Sequence, residues 1–288
     1  MPNRILIFLY LLPFTVIFQS CSLQKPTHTH SVNQYAADGY KLVWADEFEK
    51  NGLPDPKNWA YERGFVRNAE LQWYQPENAF CKDGMLVIEA RKEQKPNPGY
   101  EKESRDWRKS RKEIQYTSAC LITKGLQSWQ YGRFEMRGRI NISSGLWPAF
   151  WTLGLKGRWP ANGEIDIMEY YKGKLLANIA SIGNYKKPKW FSTTKPVQEL
   201  GGADWAKKFH TWRMDWDSES ISLFVDNTLL NKVLLSQLQN EDQEAANPFM
   251  QKHYILLNLA MGGMNGGHLQ DTEFPNRMEV DYVRVYQK

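Results

Sequence analysis

The sequence has few of the residues from which proteins build catalytic metal centres. Its 288 residues include only three Cys and five His, and none of these form a cluster with zinc-site spacing. Long helical periodicity is nearly absent, and no internal repeat is visible. The net charge is +5, but the basic residues are spread along the chain and no nucleic-acid-binding module is recognisable. We therefore expect neither a catalytic metal nor a nucleic-acid partner.

The longest apolar run lies near the N-terminus. Ile5–Phe18 follows a single Arg and precedes small and polar residues that end at Cys21. This layout is typical of a secretory signal, and the run is too short for a comfortable transmembrane helix. Phe18-Gln19-Ser20-Cys21 resembles the lipobox of bacterial lipoproteins, although Leu is usual in place of Phe18. We predict a signal over residues 1–21 and lipidation of Cys21; an ordinary signal peptide with a coincidental Cys is the alternative.

The residues after Cys21 predict an anchored, exported protein. Residues 22–38 are polar and aperiodic, which is typical of a flexible tether. Ser22 stands where an inner-membrane retention signal would have Asp, so we expect the outer membrane, on its periplasmic face or the cell surface. Export permits a disulfide between Cys81 and Cys120, and the sequence leaves these two residues either bridged or free.

Short strands separated by turns account for most of the chain after Lys41. Five segments combine β-branched or aromatic residues with bounding turn signals. They are Met85–Arg91, Gly132–Ile140, Ser220–Val225, Tyr254–Ala260 and Met278–Tyr286. No change of composition divides residues 39–288, which predicts a single all-β domain, a sandwich or a jelly roll. We expect it to be a monomer.

Two stretches lack a clear strand pattern. Glu93–Glu113 is charged and punctuated by Pro and Gly, which predicts a long loop between two strands. Within it, the basic run Arg105–Lys112 is expected to lie in solvent. Leu234–Ala246 is expected to form a short helix or a loop.

The aromatic content is high, with 12 Trp, 14 Tyr and 13 Phe. Flat aromatic faces hold sugar rings through the apolar C–H groups that lie on the π-system. A Trp-rich core with a few exposed rings is the alternative explanation.

Three acidic residues share the predicted strand Gly163–Tyr171. Because side chains alternate along a strand, Glu164 and Asp166 point to one side, whereas Glu169 falls on the other by strict alternation. A one-residue β-bulge at Ile167-Met168 would return Glu169 to the side of the other two acids, and bulges are common beside active sites. We therefore expect all three carboxylates to share one face.

This bulge would suit glycoside hydrolysis. It leaves about four strand steps between Glu164 and Glu169, or roughly 13 Å between their Cα atoms. Side chains that lean toward each other would bring the carboxyl groups to about 5–6 Å, near the ~5–5.5 Å of retaining glycosidases. Like charges so close push their pKa values apart, so one carboxyl stays ionised while another keeps its proton near neutral pH. One residue type then supplies both a nucleophile and a general acid.

Gly163–Tyr170 resembles the catalytic signature of glycoside hydrolase family 16, Glu-x-Asp-x-x-Glu in its laminarinase-like, bulged branch. Other stretches agree with the family in order across residues 41–288. They are Leu42–Phe48, Asn68–Tyr74, Asp83–Arg91, Tyr131–Ile140, Gly145–Leu153, Leu256–Gly263 and Met278–Tyr286. The resemblance implies a concanavalin A-like β-jelly roll of two curved antiparallel sheets with a cleft across the concave one. It also implies double displacement with retention of the anomeric configuration.

The resemblance also assigns roles by motif position. Glu164 is similar to the family's nucleophile, Glu169 to its general acid/base, and Asp166 to the residue that tunes the nucleophile. The positions carried over as substrate contacts are Asn68, Arg137, Trp147, Trp151 and Trp159. Core packing is the alternative for the tryptophans, and a surface ion pair is the alternative for Arg137. Ala69 stands where a second Asn is frequent, which leaves the subsites open.

Many members of the family bind a structural Ca²⁺ through backbone oxygens and one carboxylate. Asp281 matches the position of that carboxylate, with Glu47 and Gly84 as neighbours. A solvent-facing Asp on an edge strand is the alternative. No cofactor is expected for catalysis itself.

Three hypotheses about the substrate follow. The first is an endo-hydrolase of β-1,3- or mixed β-1,3/1,4-glucan. The second keeps the family and changes the substrate to an algal galactan such as agarose, porphyran or carrageenan, which the basic stretch Lys186–Lys189 would suit. The third is a surface lipoprotein that binds glycan without cutting it, and the three intact acids argue against that.

Overall fold

The computed structural model describes residues 38–241 and 246–288. The predicted signal (residues 1–21), the lipidation site Cys21 and all of the predicted tether except Asp38 lie outside the described residues, so these remain predictions. In the described part of the chain, no helix is long and apolar enough to cross a membrane.

The described chain consists of seventeen strands and three short helices. The strands are β1 (Lys41–Asp46), β2 (Ala60–Tyr61), β3 (Gln72–Tyr74), β4 (Ala79–Lys82), β5 (Met85–Pro96), β6 (Glu113–Ser118), β7 (Cys120–Ile122), β8 (Gly132–Arg139), β9 (Leu146–Gly154), β10 (Glu164–Tyr171), β11 (Lys174–Ile182), β12 (Pro188–Pro196), β13 (His210–Trp216), β14 (Ser220–Val225), β15 (Thr228–Leu234), β16 (His253–Met261) and β17 (Asn276–Gln287). The helices are α1 (Trp107–Ser110), α2 (Gly202–Ala206) and α3 (Gly263–Gly266). Single 3₁₀ turns occupy Pro76–Asn78, Asn184–Lys186, Val197–Leu200 and Leu235–Gln237.

The strands form two sheets. The larger has ten strands in the order β15-β14-β13-β8-β17-β5-β6-β3, with β1 added on β17 and β4 on β5. The smaller has seven strands in the order β12-β11-β10-β9-β16-β7-β2. Every strand pairing in the described chain is antiparallel except that of β3 with β6. This is the all-β jelly-roll sandwich that the sequence predicts, with β10 third from one edge of the smaller sheet.

The core lies between the sheets and follows from strand alternation. On β8, Phe134 and Met136 are fully buried, and on β11 Ala177 and Ile179 meet them from the smaller sheet as members of one apolar cluster. The intervening residues of the smaller sheet face away from this core. That outer face of the smaller sheet is where the polar residues of β10 emerge.

Two predicted loops contain regular structure. Within Glu93–Glu113, β5 continues to Pro96, and α1 and the start of β6 follow. Within Leu234–Ala246, the chain makes one 3₁₀ turn at Leu235–Gln237, and residues 242–245 lie outside the described part. The long-loop prediction was therefore wrong at its two ends.

Cys81 and Cys120 are both free and buried. Cys81 packs in the core between the sheets, whereas Cys120 packs in a second apolar cluster with Trp151 and Tyr254. The two thiols belong to different clusters and do not form a disulfide. The sequence left the bridged and the free state open, and the structure shows the free one.

Candidate active site

Strand β10 carries its three acids to one face through an irregularity in the ladder. Its pairings with β9 and with β11 both slip between Asp166 and Glu169. Ile167 and Met168 are neighbours in sequence, yet both are buried in the core, as expected when a bulge absorbs one residue. The β-bulge predicted from the sequence is thus confirmed, and it returns Glu169 to the face that carries Glu164.

Glu164, Asp166 and Glu169 line an open cleft of about 730 Å³ on the outer face of the smaller sheet. The aromatic rings around them are Trp147, Trp151, Trp159, Tyr171 and Trp190. The polar groups are Arg67, Asn68, Glu70, Asn178, Ser192, Thr194, Asn258 and Asn265. Flat apolar rings interleaved with amides and hydroxyls match a chain of sugar units, which has apolar ring faces and polar edges.

Three neighbours of Glu164 oppose the effect of burial on its carboxyl group. The indole Nε1–H of Trp159 donates to its Oε2 at 2.5 Å, and a hydrogen bond joins it to Asp166. Burial raises the pKa of Glu164, while these two hydrogen bonds and the positive charge of Arg67 oppose the rise. Three groups therefore favour a carboxylate at this position.

Asp166 lies between the two glutamates in sequence and is 4% exposed. Burial raises the pKa of Asp166 well above its usual value, and the charges of Glu164 and Glu169 raise it further. A hydrogen bond with Asn178 acts in the opposite direction. Because Asp166 keeps its proton, it is the donor in the hydrogen bond that it shares with Glu164.

The pKa of Glu169 is raised as well, but its neighbours differ from those of Glu164. The indole Nε1–H of Trp147 donates to its Oε1 at 2.6 Å, and Asn178 Nδ2 donates to its Oε2 at 3.2 Å. Burial and the negative charges of Glu164 and Glu70 outweigh these donors and raise the pKa of Glu169 to about 8. At neutral pH Glu169 therefore carries a proton that it can give to a ligand in the cleft.

The three tryptophans predicted to bind substrate all line this cleft, but with different exposure. Trp159 is 49% exposed and presents an open ring face. Trp147 and Trp151 are mostly buried, and their Nε1–H groups are used by Glu169 and by Asn258, respectively. Trp159 can therefore stack on a sugar, whereas Trp147 and Trp151 form the cleft floor.

A turn at Asn68-Ala69 brings a fourth carboxylate, Glu70, to the cleft. Both turn residues have positive φ, at 53° and 51°. Glu70 is buried and accepts hydrogen bonds from Asn68 Nδ2, Gln72 Nε2 and the Tyr74 hydroxyl at 3.2, 2.6 and 3.3 Å. The structure thus places Asn68 in the cleft. Sequence reasoning missed Glu70, although its alternation with Gln72 and Tyr74 was a signal that all three share a face.

Arg67, which the sequence did not single out, also lines the cleft. Its guanidinium lies 5.1 Å from the ring centroid of Trp151 and forms an ion pair with Glu62. It adds positive charge on the Glu164 side of the site. Nothing in the local sequence distinguishes it from a surface Arg.

Arg111 supports the Asn68-Ala69 turn from behind. Its guanidinium donates to the carbonyl oxygens of Ala69, at 2.8 Å, and of Glu70. The same group packs over the adjacent rings of Phe65 and Trp107, 4.7 and 4.8 Å from their centroids. The expectation that the whole run Arg105–Lys112 lies in solvent was therefore wrong for Arg111, which is partly buried against the cleft.

Arg137 does not reach the cleft. It lies on β8 of the larger sheet, where Phe134 and Met136 point into the core and the residues between them point outward. Its Nη1 donates to Asp281 Oδ2 at 2.6 Å, and its guanidinium lies 4.7 Å from the centroid of the Phe209 ring. The expected substrate contact is corrected to an ion pair on the outer face of the larger sheet.

The expected calcium ligand Asp281 is engaged by that same ion pair. Its expected neighbour Glu47 receives two hydrogen bonds from Arg284, at 2.7 and 2.9 Å. Within residues 38–241 and 246–288, no group of three or more His, Cys, Asp or Glu could hold a metal ion. Because guanidinium groups hold both carboxylates, this arrangement does not fit a Ca²⁺ ion.

The fold and the site together define a class of protein. A β-sandwich whose cleft combines sugar-sized aromatic faces with a protonated and an ionisable glutamate is a glycosidase. The model of the glycosyl hydrolases family 16 matches residues 67–284, and the chain belongs to this family.

Known relatives agree over most of the chain. A β-glucanase of Rhodothermus marinus is 36% identical over 266 residues, which cover 87% of this chain and 86% of the relative. The solved structure of the laminarinase from Rhodothermus marinus has a TM-score of 0.69 and covers 86% of this chain and 97% of its own. A structure from work on endo-acting O-glycanases, with which human gut bacteria initiate mucin breakdown, has a TM-score of 0.77 at 33% identity. It covers 86% of this chain and 91% of its own.

Proposed function

We propose that this protein is a retaining endo-hydrolase of a β-linked polysaccharide, with β-1,3- or mixed β-1,3/1,4-glucan as its substrate. The observation that carries the proposal is the pair of glutamates on one face of β10. Trp159, Asp166 and Arg67 stabilise the Glu164 carboxylate against the effect of burial, whereas Glu169 keeps its proton. The similarity to a β-glucanase and a laminarinase supports a glucan. The open cleft supports cleavage within a chain, because neither end of the bound chain needs to be enclosed.

In the first step, the Glu164 carboxylate attacks the anomeric carbon. The glycosidic C–O bond breaks as the new ester bond forms, and Glu169 gives its proton to the leaving oxygen. Asp166 donates its hydrogen bond to Glu164 and so holds the nucleophile in place. Trp147 keeps Glu169 in position through its 2.6 Å hydrogen bond.

In the second step, Glu169 is a carboxylate and takes a proton from water. The water oxygen attacks the anomeric carbon, the ester to Glu164 breaks, and Glu164 leaves as a carboxylate. The sugar has then been displaced twice, so its anomeric configuration is retained. Glu169 ends the cycle protonated, ready for the next chain.

A defined substrate panel tests the proposal. We expect the purified protein to release oligosaccharides from laminarin or barley β-glucan, with rapid loss of chain length and β-anomers as the first products by NMR. Glu164→Gln should lower kcat by about 10⁴-fold or more without loss of the folded state, because it removes the nucleophile. An active enzyme that yields α-anomers first would contradict the mechanism.

A second candidate substrate is a galactose-containing chain, such as an O-glycan of mucin or an algal galactan. The similarity to the structure from work on endo-acting O-glycanases favours the mucin O-glycan, and the algal galactan is the alternative that the sequence offers. Mucin O-glycans, agarose and carrageenan therefore belong in the same panel. If the protein cleaves one of these substrates but neither laminarin nor barley β-glucan, the second candidate is correct.

We also propose that the protein is exported and anchored to the outer membrane by a lipid on Cys21. The residue pattern at positions 5–22 supports this. Cys21→Ser should move the protein from the membrane fraction to the soluble fraction; an unchanged membrane fraction would contradict the anchor.

A further inference from the structure

The edge strand β12 presents an alternating face to the cleft. Along Pro188–Pro196, the residues Trp190, Ser192 and Thr194 are exposed, while Phe191 and Thr193 between them are partly covered. The three exposed residues all line the cleft that contains the acids. One side of the strand thus continues the cleft wall to the edge of the sheet.

The register of the sheet relates this face to the catalytic strand. Glu164 lies opposite Ala180 on β11, and Ala180 lies opposite Trp190 on β12. Neighbouring strands are about 4.8 Å apart, so the backbone of Trp190 lies roughly 10 Å from that of Glu164 across the sheet. That distance exceeds the length of a single sugar ring.

Trp190 is an unusual residue to leave in solvent. Of the twelve tryptophans in the chain, all of which lie in the described part, only Trp159 and Trp190 are exposed, at 49% and 43%. Both line this cleft. Both exposed tryptophans thus lie at one concave site, while the other ten are buried or partly buried, which indicates a surface that a ligand covers.

The strand that carries Trp190 is held in place from the larger sheet. Asn231 of β15 donates through Nδ2 to the carbonyl oxygens of Ala177, at 2.8 Å, and of Phe191, at 3.0 Å. These bonds fix the backbone of β11 and β12 next to Trp190. The ring is therefore presented on a supported strand and not on a loop.

We propose that Trp190, Ser192 and Thr194 form a sugar-binding subsite for a unit of the chain that lies beyond the ring being cleaved. The inference rests on the proposed function and deepens it. The indole of Trp190 stacks on the apolar face of a pyranose ring, and the hydroxyls of Ser192 and Thr194 bind the hydroxyls at its edge. The occupant is a later unit of the same β-linked chain.

This subsite makes activity depend on chain length. A short oligosaccharide fills the positions next to Glu164 and Glu169 without crossing to β12. A long chain reaches Trp190 and gains the binding energy of that contact, so long chains are cleaved in preference to their shorter products. The enzyme therefore attacks polymers and releases fragments of limited size.

Binding measured without turnover tests the subsite directly. In the Glu164→Gln background, we expect Trp190→Ala to weaken binding of laminarihexaose about tenfold by calorimetry, the size of one lost aromatic stacking contact. The loss for laminaritriose should be clearly smaller. Trp190→Phe keeps a ring and should recover most of the affinity, and Leu53→Ala, which removes an exposed apolar side chain outside the cleft lining, is the matched control.

Kinetics on the active enzyme distinguish a failure of the subsite proposal from a failure of the proposed function. Trp190→Ala should raise KM for the polymer with little change in kcat, since Trp190 is remote from the reacting bond. If Trp190→Ala binds the hexasaccharide as tightly as its parent, the subsite is wrong while the glucanase function stands. If the parent cleaves no glucan, the same titration with neoagarohexaose tests the subsite for a galactan. If the parent cleaves none of the glucans, galactans and mucin O-glycans of the panel, the proposed function itself is wrong. Circular dichroism checks that each variant is folded.

Discussion

At the scale of single residues, the site depends on the different environments of two glutamates. Trp159, Asp166 and Arg67 favour the charged form of Glu164. Glu169 has Trp147 and Asn178 as donors, but burial and the charges of Glu164 and Glu70 prevail. The same residue type thus serves as nucleophile and as acid because its surroundings differ, which is the usual way that enzymes divide acid and base roles at neutral pH.

The pKa of about 8 for Glu169 predicts the alkaline limit of activity. Above that pH the general acid is lost, so kcat/KM should fall tenfold per pH unit with an apparent pKa near 8. Glu169→Gln should lower kcat on glycans with poor leaving groups by about 10²–10⁴-fold. A pH profile measured from pH 4 to 10 checks this, and a flat alkaline limb in the parent would contradict the assignment.

The same pKa predicts how stability depends on pH. The pKa of Glu169 is raised in the folded state, so its stabilising contribution is complete below the ordinary value of 4.5 and is lost as pH rises toward about 8. The parent Tm should therefore decline between pH 5 and 8. The Glu169→Gln variant is the control: its side chain at this position cannot ionise, so its Tm should decline less across that range. Differential scanning calorimetry measures both Tm values.

The sequence predicts the site residues that are close together along the chain, but not those that only the fold brings together. Glu164, Asp166, Glu169 and the nearby tryptophans stand in one continuous segment with a family signature, so the sequence places them together. Arg137 looks equally suitable in its own strand, but local alternation cannot say which sheet that strand joins. Glu70 has its hydrogen-bond partners nearby in the sequence, but its place beside Glu169 depends on the fold. The place of Trp190 in the cleft depends on the pairing of β12 with β11 and of β11 with β10.

At the scale of elements, the bulge in β10 decides which way Glu169 points. Ile167 and Met168 both face the core, so the bulge absorbs one residue. Removing one residue there leaves a regular strand in which the second glutamate still alternates onto the cleft face.

Two single-residue deletions test this geometry. Deleting Met168 should retain measurable hydrolysis, at a stability cost of about 2–5 kcal/mol for the lost buried side chain. Deleting Ile165 should abolish hydrolysis, because it turns Glu164 away from Asp166 and Glu169. Activity of both proteins is compared after urea unfolding confirms that they fold; a folded Met168 deletion as inactive as the Ile165 deletion would contradict the account.

Elements with strong local patterns are predicted well, and those fixed by distant contacts are not. Ser220–Val225 was predicted with its observed bounds, and Gly132–Ile140 ends one residue beyond the observed strand. The partial burial of Arg111 escapes prediction because Phe65, one of its two aromatic partners, lies more than forty residues earlier in the chain. Similarly, the pairing of β17 with β8 has a register shift near Asp281, which alternation alone did not indicate.

At the scale of the whole molecule, the two sheets bury a continuous core and leave one face of the smaller sheet for substrate. The sequence predicts the sandwich from its strands and turns, but it does not give the order of strands within each sheet. That order brings Trp190 to within two strands of Glu164. The chain-length preference proposed above is therefore a property of the assembled sheet.

The separation of the two cysteines gives a prediction about the assembled fold. Burial raises the pKa of Cys81 to about 11 and that of Cys120 well above the usual range. We expect both thiols to resist alkylation in the native protein at pH 8 and to react fully once it unfolds. Peptide mass spectrometry measures the alkylated fraction of each cysteine. A linked Cys81–Cys120 peptide in the non-reduced protein would contradict the structure.

In the proposed mechanism, Glu164 forms a covalent bond with the sugar while Glu169 acts as acid and base. A 2-deoxy-2-fluoro-β-laminaribiosyl fluoride slows both steps, and its good leaving group lets the intermediate accumulate. Intact mass spectrometry followed by peptide mapping should find one added disaccharide, attached to Glu164, and none in Glu164→Gln. A label on Glu169 or Asp166, or rapid hydrolysis of glucan to α-anomers with no labelled protein, would contradict the account.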